Sequence, residues 1–125
     1  MRTITCLILT SLILLGACAA HNDGRPVKID SAELRAIRTE ANQQIATWDH
    51  LAWQSVRCDG ALRTNVVKAA NAHHVELRGY VEEINEALAE RRIVPAQMTE
   101  LHQQIDADRE FATDVQGMLR AECRV

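Results

Sequence analysis

Cysteine, histidine and carboxylate side chains are the groups in this 125-residue chain best suited to chemistry. Cysteines stand at Cys6, Cys18, Cys58 and Cys123. Cys58 and Cys123 are too widely separated for a metal-site pattern, in which ligands come in close pairs. The run His73-His74-Val75-Glu76 has the wrong order and spacing for an H-E-x-x-H zinc helix. Beyond residue 17 the serines are only Ser31 and Ser55, with no strand-turn-helix elbow around either and no glycine-rich phosphate loop. An enzyme is therefore not expected, and no cofactor is implied. His50, His73 and Asp114 form one weak candidate metal set. In an antiparallel helical arrangement His50 and His73 reach similar heights, about 28 and 27 Å above their helix bases, with Asp114 near the same level. Bundle metal sites normally use i,i+3 or i,i+4 ligand pairs on facing helices. The favoured expectation is no metal, with His50 and His74 facing solvent and His73 at a boundary.

The elements that position these groups are helical. Asp30 followed by Glu33 gives a capping-box-like start, with Ser31 as a competing N-cap. Leu34, Ile37, Ala41, Ile45, Trp48, Leu51 or Ala52, and Val56 then recur at spacings of three and four, predicting one long helix ending near Cys58. Asp59-Gly60 is the break, read through the ease with which glycine takes the left-handed conformation. A second stripe runs Leu62, Val66, Ala69, His73, Leu77, Tyr80, Ile84 and Leu88. Pro95 suits the first turn of a third helix, whose stripe is Met98, Leu101, Ile105, Ala112, Val115, Leu119 and Cys123. Gly79 and Gly117 fall inside helices, where close helix packing is the expected reason. Both connections are short, so neighbouring helices should be antiparallel. The fold class expected is all-α, an up-down-up three-helix bundle over residues 31–125. Cys58 and Cys123 then close the two upward helices at one pole.

Residues 1–17 have a different character. Arg2 is followed by an apolar run from Ile4 to Leu15, then Gly16 and Ala17 before Cys18. The layout is that of a secretory signal, too short to span a membrane. Leu15-Gly16-Ala17-Cys18 resembles the bacterial lipobox. The resemblance implies cleavage before Cys18, acylation of that residue with diacylglyceryl and palmitate-type chains, and a membrane lipoprotein. Ala19, not being Asp, implies the outer membrane of a Gram-negative-type envelope over the inner one, with the domain facing the periplasm. Residues 18–30 then read as the lipidated N-terminus and a flexible tether, reaching the pole opposite Cys58 beside the second connection. With Cys6 removed and Cys18 acylated, Cys58 and Cys123 remain in an oxidising compartment and should form a disulfide.

Charge bounds the partners. The chain carries 14 Lys+Arg against 17 Asp+Glu, a net charge of −3, and loss of Arg2 makes the remainder one unit more negative. That balance argues against nucleic acid and against electrostatic attachment to anionic headgroups. Glu82, Glu86 and Glu90 form a like-charged row. Bridging to Arg35 and Arg38 is the simplest expectation for it, and a partner-facing acidic stripe is the functional alternative. Trp48 fits the core. Trp53 falls toward a boundary, where with Arg57, Arg63 and Arg120 it forms a candidate partner surface at the disulfide pole. The leading expectation is a non-catalytic lipoprotein acting as adaptor, chaperone or scaffold for another envelope protein. In outline such a chain is similar to the secretion pilotins, lipidated helical carriers of secretin subunits, a likeness of architecture that transfers no binding residues. The rival classes are an exclusion or inhibitor lipoprotein of plasmid or phage type and a metal or stress sensor. A near-heptad spacing also leaves self-association open.

Overall fold

A computed structural model describes residues 25–28 and 30–123 of the chain. Three helices account for nearly all of it: α1 Ser31–Gln54, α2 Gly60–Glu90 and α3 Pro95–Glu122. The Asp30 carboxylate accepts from the Ala32 backbone N–H at 2.9 Å, so Asp30 and not Ser31 is the cap of α1. Asp59 caps α2 through Leu62 N–H at 3.2 Å. Pro95 opens α3, where a missing N–H costs nothing.

Cross-helix contacts fix the directions. Glu33 meets His102 and Glu40 meets Arg109, numbers that rise together, so α1 and α3 run the same way. Arg38 meets Asn85 while Asp49 meets His74, numbers that run in opposition, so α2 is antiparallel to α1. The bundle is up-down-up. At its upper pole the Cys58 and Cys123 sulfurs lie 2.02 Å apart, at bonding distance, with Cα atoms 5.0 Å apart.

The core is continuous along this axis. Leu34, Ile37, Trp48 and Leu51 of α1 pack with Leu77 and Ile84 of α2 and Leu101, Ile105 and Leu119 of α3. Full burial of each such large apolar side chain stabilises the fold by about 1.5–3 kcal/mol. Among the described residues no helix is long and apolar enough to cross a membrane.

The structure corrects four local expectations. First, α1 does not continue smoothly to Cys58. Its last turn tightens into a 3-10 helix over Ser55–Arg57; Ser55 continues the buried spacing of Gln44, Trp48 and Leu51, and Val56, one position on, is 60% exposed. The Ser55 hydroxyl donates to the Ala52 carbonyl at 2.6 Å, which satisfies it inside. Second, Gly60 has no left-handed backbone. The one positive φ among the described non-glycine residues is at Arg91, φ 57°, the C-cap of α2. Third, the stretch expected to be wholly tether ends in structure. Val27–Lys28, β1, pairs antiparallel with Arg92–Ile93, β2, in the register Val27 to Ile93 and Lys28 to Arg92. Ile93 is buried in the core, so the chain is clipped beside the second connection, the pole expected. Fourth, a Cβ on Gly79 or Gly117 would meet nothing within 4 Å, so close packing explains neither glycine.

Candidate functional site

Two places gather polar chemistry, one inside the bundle and one at its upper end. The inner one spans all three helices at mid-height. Asp108 of α3 accepts the indole N–H of Trp48 through Oδ2 at 3.0 Å, and its Oδ1 lies 2.5 Å from His73 Nδ1. The carboxylate is close enough to the imidazole for an ion pair, but Nδ1 has no partner in hydrogen-bond alignment. The Trp48 and His73 rings stack at 4.4 Å, almost parallel, and Phe111 packs against both at 5.7 and 5.1 Å. Stacking of this kind adds about 0.5–1.5 kcal/mol per pair. Asp108 is 7% exposed, and a buried carboxylate is tolerated only where donors surround it. One turn below Trp48, Gln44 is also buried, and its side-chain oxygen is unpaired.

The weak metal set is not brought together. His73 faces Asp108, not Asp114, which is exposed on α3, and His50 is exposed on α1. His74 is half-buried, with Nε2 3.5 Å from Asp49. Among the described residues no three His, Cys, Asp or Glu side chains are arranged to hold a metal ion. Asp108 escapes a reading of apolar periodicity because it is a carboxylate on the core face. The signal was a gap: the α3 stripe jumps from Ile105 to Ala112, and position 108 lies on the same face between them.

The upper place is Trp53. It is 66% exposed, beside the exposed Val56, and does not cap the core. The Arg57 guanidinium carbon lies 6.0 Å from its ring centroid, within cation–π range. Arg63 and Arg120 are exposed toward the same pole, but Arg63 belongs to a separate groove of about 400 Å³ with Val67 and Lys68. None of Arg57, Arg63 and Arg120 pairs with a carboxylate among the described residues, so they do not offset Asp59 and Glu122.

Glu82, Glu86 and Glu90 are exposed and unbridged among those residues. Arg38 donates to Asn85 at 2.8 Å instead, which corrects the expectation that Arg35 and Arg38 neutralise the row. Tyr80, half-buried next to it, donates its hydroxyl to Glu76 at 2.5 Å. Burial first, then that bond and the nearby carboxylates, push its phenol well above the usual range. Cys18 and the signal-like segment lie outside the described residues. The chain matches no family model, and comparison with curated proteins and with solved structures found no match.

Proposed function

We propose that this chain is a non-catalytic, lipid-anchored envelope protein that serves as adaptor, chaperone or scaffold for another envelope protein. Cys18 carries the lipid and Trp53 is the anchor residue of the partner surface. The observation that carries the reading is the exposure of Trp53. A 66% exposed indole, with Val56 open beside it and Arg57 over its face, stands next to the Cys58–Cys123 pair. Tryptophan and arginine dominate the residues whose truncation weakens interfaces most. A bundle end held by a cross-link presents them with little loss of freedom on binding.

Replacing Trp53 by Ala should abolish capture of the partner from detergent-solubilised envelope while helicity and melting stay at the parent values. A partner lost instead on joint Glu82→Gln, Glu86→Gln and Glu90→Gln substitution would move the surface to the acidic row. For the anchor, Cys18→Ser should remove lipid mass and release or stall the protein. Unchanged membrane fractionation with no lipid on the N-terminus would overturn that part.

A further inference from the structure

A net charge of −3 conceals an uneven distribution. Where β1 leads into α1, the side chains of Lys28, Arg35, Arg38 and Arg91 line one groove of about 460 Å³, with Leu88 in its wall. None of the four cations meets a carboxylate within ion-pair distance among the described residues. Arg38 is held by a neutral acceptor, Asn85, so its charge is oriented and not cancelled. The acidic row is centred roughly 130° around α2 from the Asn85 and Leu88 side. The partial negative charge at the α2 C-terminus amounts to about half a unit against four.

Arg91 adds an independent sign. It takes the left-handed cap conformation, φ 57° and ψ 29°, where glycine is the usual residue. The Arg91 side chain lines the groove from a backbone conformation that disfavours side chains.

We propose that this groove binds the phosphate of an anionic phospholipid headgroup in the membrane to which the chain is attached. The inference rests on the lipidation of Cys18 put forward above. Six residues separate Cys18 from Arg25, and the seven Cα steps between them span at most about 25 Å, which holds this pole near the bilayer surface. Guanidinium groups present paired donors that match phosphate oxygens. Leu88 offers apolar surface to the glycerol portion of a lipid, which a free phosphate lacks. Whole-chain charge is the wrong measure at this range, because screening confines the field to about 8–10 Å.

The test uses the full chain in a neutral maltoside detergent, titrated with dihexanoyl phosphatidylglycerol and followed by backbone amide NMR shifts. Saturable shifts at Arg35, Arg38 and Arg91 are expected, with none from dihexanoyl phosphatidylcholine. Arg35→Gln and Arg91→Gly should each weaken binding about fivefold. Arg91→Gly also suits the cap conformation, so its helicity and melting should not fall. Absent groove shifts, equal response to phosphatidylcholine, or unchanged affinity in both variants would overturn the proposal. Equally tight binding of inorganic phosphate would overturn the lipid source. Failure here is distinct from failure of the functional reading, since partner capture through Trp53 and fractionation of Cys18→Ser are separate measurements.

Discussion

Asp108 joins Trp48 to His73: one carboxylate oxygen accepts the indole N–H at 3.0 Å and the other stands 2.5 Å from the imidazole Nδ1. Each residue comes from a different helix, so a single side chain ties the bundle across its middle. Removing the carboxylate leaves a buried indole N–H without an acceptor, a loss of about 1–3 kcal/mol. Asp108→Ala should therefore lower the urea midpoint without changing the denaturant slope. The pair Trp48→Phe and Asp108→Ala should together destabilise less than the sum of the two singles, as coupled neighbours do. Additive effects would mean that the contact contributes nothing.

The cross-link at the upper pole makes a second prediction. Closing a loop between Cys58 and Cys123 contributes up to about 4 kcal/mol by loss of unfolded-state freedom. Cys123→Ala or full reduction should lower the melting temperature, and proteolytic mapping without reductant should recover the linked peptides. A melting temperature indifferent to reductant would show the bond absent or idle.

The two tryptophans should behave as opposites in fluorescence. Trp48 has no exposed surface and Trp53 is 66% exposed, so iodide should quench one population only. Trp53→Phe should remove the quenchable, red-shifted component and leave the blue one. Residual quenching in that variant would place Trp48 within reach of solvent.

Tyr80 is the chain's one tyrosine, which makes its titration readable by absorbance at 295 nm. Its phenol is held well above the ordinary range by burial and by the bond to Glu76. The unfolded chain, with a phenol near pH 10, gives up its proton first. Between that point and the folded value the native state binds more protons, so stability falls as pH rises. Native protein should show little tyrosinate at pH 10.5, and Glu76→Gln should bring the transition down. A native midpoint at the ordinary value would contradict the arrangement.

Gly79 and Gly117 sit in helices with open space where a Cβ would be. Alanine at either should stabilise the fold by about 1 kcal/mol, read as a higher melting temperature. A loss of stability at either position would reveal a packing demand absent from the isolated chain, such as a second copy seated there.

The bundle was legible because its signals are local and repeated. Asp30, Asp59 and Pro95 mark the starts of helices through chemistry that acts within one turn. The apolar stripes set the buried faces, and the pole shared by Cys58 and Cys123 followed from counting helices. Asp108 was illegible to hydrophobic periodicity because it is a charged residue occupying a core position, made tolerable by Trp48 and His73 from elsewhere in the chain. Ser55 holds a core position that Val56 was expected to hold because the buried face continues the spacing Trp48, Leu51, Ser55, and a reading that follows apolar residue types passes over a serine on that face. Lys28, Arg35, Arg38 and Arg91 converge only once β1 and the α2 terminus meet, and a summed charge averages them away. The exposure of Trp53, expected only at a boundary, follows from ordinary helix phase, since five residues place it about 140° around α1 from the buried Trp48.

The cross-link also decides how the molecule responds to tension. Cys58 and Cys123 are 65 residues apart in sequence, and with the bond intact a pull on the two ends bypasses everything between them. Roughly 230 Å of potential chain extension is thereby withheld, and α2 and α3 cannot be drawn out lengthwise. Force applied at the N-terminus reaches α1 alone and peels it from a closed ring. In a single-molecule stretching trace, α1 would yield as a short first step, and the long second step would be seen only after a reductant opens the ring.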